Sequence, residues 1–326
     1  MKQHYIPRCY LRRFSNHERY IFTYDKINSK SYKAPIMSVC FENDIYTISN
    51  SYIEDSKNEH GINLNKLSIE SDYFANTIEQ MLEKFLNQLD DIKNGWIAGN
   101  DKYKLQFVEK RELALHLITL YFRIPYVMNA IIDNHMRYEK AEVDIIKHIL
   151  AVHTGNKAYD ELEIDIACEK PVLHAQISYL NDELMMNMAN VLANNICVFW
   201  ISNNNDFYTS DFPIIVNPYV PKVRPRFMGL AQYGGELMMP LSPSLSVSIY
   251  DRNYFKDKEQ LDSCFIIANE EEVFRRNWRI YLYAQRHVFS LNNDFRMIDA
   301  LYKKEGKHVF YSPNLKDEIV SGLGKY

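Results

Sequence analysis

Glycine is scarce, 10 in 326 residues. A phosphate cradle built on glycine needs several of them close together at a strand-to-helix turn. The chain has neither GxGxxG nor GxxxxGK[ST], and its terminal "SGLGKY" lacks the first glycine and a following helix. The five cysteines form no CxxC pair, which excludes a disulfide framework and a cysteine zinc site. Small buried thiols in a reducing compartment are the expectation. HExxH and GxSxG are also absent. His148 and His153 are five residues apart, so on a helix they diverge by about 140° and share no metal.

Charge of one sign is not in excess. The formal net charge is −4, so the molecule as a whole is no polyanion binder, although a local basic patch can still hold nucleic acid. Long hydrophobic runs are missing too. Lys2, Gln3 and His4 follow Met1 directly, and Arg123 interrupts the longest apolar stretch, "LITLYFRIPYVM". No segment reads as a membrane span, and a cytoplasmic protein is expected.

Aromatics are plentiful instead, with 24 Tyr and 17 Phe, and the apolar fraction of 47% suits a folded core. The alternation of "YIFTYDK" (20–26) predicts a strand, with a second extended piece near 36–48 and a polar loop over 49–61. Leu67, Phe74, Ile78, Met81, Leu82, Phe85 and Leu89 form one stripe of a helix over 62–94, closed by "NGW" with Gly95 as its cap. Helices follow over 105–124, broken at "FRIPY", then 126–152 and 172–193. "ICVFWIS" and "DFYTSD" around "NNN" suggest a hairpin, and "PIIVNP", "ELMMPLSP", "LSVSIYD" and "HVFSL" further strands. Asn269 and Glu272 cap a helix near 270–286. Helices and strands come in runs and do not alternate. The expected fold is α+β: a helical middle (62–193) against a mixed or antiparallel sheet. N-terminal strands (1–50) and a β-rich part (195–326) build that sheet within one domain, 1–326.

Several constellations are weak. Arg111/His116 and Arg12/His17 fit the Arg-x4–6-His spacing of small helical RNases, but two such pairs are what chance supplies. "EDSK" (54–57) and "DDIK" (90–93) lack the core strand a metal nuclease needs. "TSDFPI" (209–214) is sharper, since it places Ser210 and Asp211 at a strand end beside a proline. The competing reading is a turn that satisfies its own backbone. Glu70 and Glu79 flank the 62–94 stripe on opposite sides, so an ordinary helix would not aim them at one site. Arg123, before Ile124 and Pro125, suits a helix C-terminus or a buried acidic partner.

The opening "QHYIPRCYLRRF" reads as a short helix started by Pro7. Tyr10, Leu11 and Phe14 make its apolar face, Arg8 and Arg12 share the other side, and Arg13 splays outward and is expected to tolerate change.

Taken in order, "HYIPRCYLRRF", "IFTYDK", "RIP", "TSDFPI", "MPLSP" and "HVFS" resemble Domain of Unknown Function 4238, DUF4238, whose bacterial members open on His-x-x-Pro-x-x-Tyr-Leu-x-x-Phe. The resemblance implies that His4, Pro7, Tyr10, Leu11, Phe14, Arg123, Ser210, Asp211 and Pro213 belong together. It implies no reaction.

Two expectations follow. One is a nuclease or other phosphate-substrate enzyme of a defence or toxin kind. Arg8, Tyr10, Arg123 and Ser210 would hold substrate, and His4 and Asp211 would catalyse. Asp211 with Glu70 would hold Mg²⁺ or Mn²⁺ if a metal is used. Its partners would be nucleic acid or a nucleotide, and the sequence names no protein partner or antitoxin. The alternative is a non-catalytic ligand-binding or sensor module in which the same residues line a polar pocket. The polar opening motif favours the first and the missing catalytic motifs the second.

Overall fold

The structure, a computed structural model, describes residues 1–16, 19–100, 104–166, 168–220 and 230–308. His17 and "SGLGKY" lie outside these. An α+β fold is found. Strand β1 (Lys2–His4) leads to helix α1 (Arg8–Arg13), then β2 (Tyr20–Asp25), β3 (Lys30–Pro35) and β4 (Phe41–Asn43). The helical part holds α2 (Asn50–His60), a π-helix (Ser68–Ile78), α3 (Glu79–Ile97), α4 (Phe107–Arg123), α5 (Pro125–Thr154), α6 (Lys170–Ser178) and α7 (Asp182–Ala193). The last part holds β5 (Ile196–Ile201), β6 (Thr209–Ser210), β7 (Ile215–Pro218), β8 (Gly235–Ser242), β9 (Leu245–Tyr250), β10 (Cys264–Ile267), α8 (Glu270–Tyr283), β11 (His287–Ser290) and α9 (Arg296–Glu305).

Three sheets result. A five-stranded sheet has the order β10-β5-β9-β8-β7, parallel at β10/β5 and antiparallel elsewhere. A four-stranded antiparallel sheet, β3-β2-β11-β6, joins strands from the two ends of the chain. β1 and β4 pair alone. Every residue of β8 and β9 is buried, so the five-stranded sheet is covered on both faces at its centre. Alternation sorts the side chains. Leu237, Met239, Val247 and Ile249 share one face, while Glu236, Ser246, Ser248 and Tyr250 share the other, beneath α8.

On that second face Glu236, fully buried, accepts from Ser248 Oγ at 2.7 Å and Tyr219 Oη at 2.9 Å and pairs with Arg275 and Arg279. Arg276, also buried, donates to Ser246 and Ser248 at 2.9 Å each. Asn269 caps α8 by accepting from the Glu272 N–H at 2.8 Å, as its spacing predicts.

α1 ties the N-terminus down. Tyr10, Leu11 and Phe14 are fully buried. Tyr10 Oη donates its single proton to the Pro240 carbonyl at 2.6 Å and therefore accepts from Thr209 Oγ1 at 2.7 Å, linking α1 to β8 and β6. Tyr10→Phe is expected to cost about 1–3 kcal/mol, because it strands two buried polar atoms. Urea unfolding checks this, and a loss below about 0.5 kcal/mol would remove the hydroxyl from the fold's support. Arg13 is not splayed outward. It pairs with Asp90 and donates to Asn87 Oδ1 at 3.1 Å and the Leu86 carbonyl at 3.3 Å, clamping α1 to α3. Arg12 is the exposed one, at 3.3 Å from Glu83.

The structure corrects other expectations. The polar stretch 49–61 is helix α2, held by its ends: Ser49 accepts from the Tyr52 N–H, and Gly61 closes it at φ +66°. Within 36–48 only Phe41–Asn43 is strand. Gly95 lies inside α3, which runs on to Ile97. The helix expected over 172–193 breaks after Ser178 and restarts at Asp182, where Asn181 accepts from the Leu184 N–H. "ICVFWIS" and "DFYTSD" form no hairpin, since β5 and β6 belong to different sheets. Local pattern identifies a strand but not the partner whose hydrogen bonds complete it.

Candidate functional site: a buried arginine among two glutamates and a histidine

β1 uses one edge to pair with β4, through His4 opposite Phe41. The N–H and C=O of His4 face the other way and need partners. Two side chains supply them. The Glu70 carboxylate accepts from the His4 N–H, and Arg123 Nη2 donates to the His4 carbonyl at 2.7 Å. Arg123 Nη2 also meets Glu79 Oε1 at 3.0 Å.

The meeting of Glu70 and Glu79 is a consequence of the π-helix. At about 100° per residue, positions nine apart lie on opposite sides of an α-helix. The i→i+5 ladder over Ser68–Ile78 widens the turn to roughly 4.4 residues, so two turns return a nine-residue step to the same face. The two carboxylates accordingly act on one another and both act on Arg123.

Arg123 ends α4, because Ile124 takes an extended conformation before Pro125. The side chain is fully buried. Its guanidinium lies 4.0 Å from the Phe74 ring centroid and 6.0 Å from that of Tyr46, while Tyr46 Oη donates to the Arg123 carbonyl at 3.3 Å. Although burial opposes it, the Glu79 and Glu70 carboxylates and the Tyr46 oxygen beside it keep Arg123 charged. Arg8 is exposed, and its charge acts on His4 and Glu70. Arg8 and the part-exposed Glu70 and Glu79 mark where this cluster approaches solvent.

Four buried polar atoms of the cluster have no hydrogen-bond partner among the described residues: Arg123 Nε and Nη1, His4 Nε2 and Glu70 Oε2. The His4 ring donates to the Ile36 carbonyl, which leaves Nε2 with the lone pair of the neutral ring. Burial, then the Arg8 charge, lowers the His4 pKa. Burial raises that of Glu70 against the pull of Arg123. The phenol of Tyr179, without a partner among the described residues, adjoins Arg123, Glu70 and Tyr46, and burial drives its pKa far up.

Of the residues singled out by sequence, His4, Arg8, Glu70 and Arg123 come together. Tyr10, Ser210 and Asp211 do not join them. Ser210 Oγ accepts from the Phe212 N–H at 3.1 Å within its own turn. Asp211 accepts from the N–H groups of Gln285, Arg286 and His287 at 2.9, 2.8 and 2.9 Å, and so fixes the turn into β11. Burial pushes its carboxyl up to about 6 even so. Its charge acts on Tyr5, Cys40 and Lys26. Among the described residues no group of three or more His, Cys, Asp and Glu is placed to hold a metal ion. His116 packs on Phe85 at 5.4 Å, and burial lowers its pKa to about 4. Sequence reasoning missed Glu79 as a partner of Arg123, along with Tyr46 and Tyr179. A π-turn has no local signature that would have revealed them.

Fold and site together define an α+β protein whose N-terminal strand is locked onto a buried arginine. The chain belongs to the family described as "Protein of unknown function (DUF4238)", which matches residues 2–294. No curated protein and no solved structure matches it. No single helix among the described residues is long and apolar enough to cross a membrane.

Proposed function

We propose that the protein binds a small polar ligand at the His4–Glu70–Arg123 cluster and works as a ligand-binding or sensing module. One observation carries this: two unpartnered donors (Arg123 Nε and Nη1) and two unpartnered acceptors (His4 Nε2 and Glu70 Oε2) in one cluster. Buried polar atoms are rarely left unpaired, so a group offering both acceptors and donors is the complement. Arg8 supplies a second, solvent-facing cation. The test is thermal stabilisation against free amino acids, small amides and inorganic phosphate. A compound that raises the melting temperature of the wild type should lose most of that effect in Arg8→Ala and Glu70→Gln. Equal stabilisation of all three proteins would sink the reading.

A second reading is acid–base chemistry on a phosphate ester, as in a nuclease of a defence or toxin kind. It is favoured by the opposed shifts of His4 (down) and Glu70 (up) between two arginines, the pattern of a base and an acid sharing a site. Labelled RNA and DNA, with and without Mg²⁺ or Mn²⁺, distinguish it. Cleavage that disappears in His4→Ala and Glu70→Gln supports it, and cleavage retained in both removes it.

A further inference from the structure

A recess lies beside the N-terminal part of α8, remote in sequence from the N-terminal motif. It has a volume of about 420 Å³, with an aromatic lining (Trp200, Tyr219, Tyr250, Tyr254 and Phe255) and four charged groups, the cations Lys258 and Arg275 and the carboxylates Asp257 and Glu272. That volume suits one small molecule. Phe255 is its buried floor. Tyr219, Tyr250 and Tyr254 stand edge-on around Phe255, with ring centroids at 5.0, 5.1 and 4.8 Å. Tyr250 is buried, whereas Tyr219 and Tyr254 are exposed, and Tyr254 carries no cation among the described residues, so it offers a surface for a flat ring.

The polar groups narrow the chemistry. Trp200 Nε1 is a buried N–H without a partner among the described residues, so it calls for an acceptor. Lys258 has a carboxylate, Asp257, only at 3.9 Å, the outer limit of an ion pair. An organic cation is disfavoured, because the aromatic rings already carry cations. Lys258 Nζ lies 5.6 Å from the Tyr250 ring and 6.0 Å from Phe255, the Arg279 guanidinium is 5.6 Å from Tyr219, and that of Arg276 is 4.9 Å from Trp200. Arg275 is held by Glu272, Glu236 and the Tyr219 hydroxyl, so its charge is already matched and Lys258 is the cation left for a ligand. An aromatic box with a free indole donor and a loosely paired lysine suits a flat ring bearing acceptors and an anionic substituent.

We propose that this recess binds a planar heteroaromatic anion of nucleoside monophosphate chemistry, with the base on the tyrosine wall, a ring acceptor on Trp200 Nε1 and the phosphate on Lys258. The inference uses no residue of the His4–Arg123 cluster. Isothermal titration of the full chain with AMP, GMP, CMP and UMP tests it, with the matching nucleosides and inorganic phosphate as separate arms. At least one nucleotide should bind saturably and more tightly than its nucleoside or phosphate alone. Lys258→Ala and Trp200→Phe, the latter keeping a ring while deleting the N–H, should each weaken binding about 10-fold, the loss of one hydrogen bond to a charged or buried partner. Urea midpoints of both variants, compared with the wild type, certify that they are folded, and Arg12→Ala, at an exposed residue of neither cluster, should bind as the wild type does. No heat at millimolar nucleotide, inorganic phosphate that displaces the nucleotide with equal affinity, or unchanged affinity in both folded variants would each overturn the proposal.

Discussion

Glu236→Ala is expected to lose about 3–5 kcal/mol of stability, the cost of breaking a buried ion pair from one side. Glu236 is fully buried on β8 and accepts from Ser248, Tyr219, Arg275 and Arg279. Removing it takes away the carboxylate that Arg279 pairs with and leaves Arg275 and Arg276 to share Glu272. Arg276 is itself buried and has no route to water. Urea unfolding at neutral pH measures the loss, and less than about 1 kcal/mol would show the guanidinium groups finding solvent. The pH dependence has a definite sign. Burial favours the protonated carboxyl, but Arg279, Arg275 and Arg276 outweigh it and hold Glu236 well below the usual carboxylate range. A depressed folded pKa gives stability that is present above the unfolded value of about 4.3 and is lost as the pH falls toward the folded one. The difference between wild type and Glu236→Gln should therefore shrink between about pH 4.5 and pH 3.

Arg123→Ala is expected to cost about 3–5 kcal/mol, through a cavity against Phe74 and lost bonds to the His4 carbonyl and Glu79. Arg123→Met fills much of that volume and removes the two donors that have no partner among the described residues. It should recover at least about half of the loss, since an unpaired buried donor costs roughly 1–3 kcal/mol. Paired urea melts decide the matter. If Met is as damaging as Ala, the ion pair with Glu79 outweighs the unpaired donors. If Met matches the wild type, the arginine is kept for a ligand and not for stability.

The motif at the N-terminus was legible in part. Leu11 and Phe14 read correctly as anchors because helical spacing puts them on one apolar face, and burial follows from hydrophobicity. Arg13 was misread for the same reason. Spacing places it on the outer side of α1 considered alone, but α3 lies there with Asp90. Glu70 and Glu79 are the clearer case. A constant turn of about 100° separates them, and only the π-helix, which buries Ile69 and Phe74, reunites them on Arg123. Ser210 and Asp211 show the converse. Their strand-end placement reads equally well as chemistry or as backbone support, and the bonds to 285–287 give Asp211 a structural task.

By itself the sequence determined what is encoded over a turn or two of chain. That includes the break of α4 before Pro125, the Asn269 cap, the apolar stripes, the α+β order of elements and the absence of glycine and cysteine motifs. Tertiary structure decided where the polar groups spend their hydrogen bonds. The partners of Arg123 lie 119 residues away at His4 and 44 away at Glu79, and Asp211 finds its own 74 to 76 residues on. A buried charge takes whichever partner the packed chain brings within about 3 Å, and no local spacing carries that information.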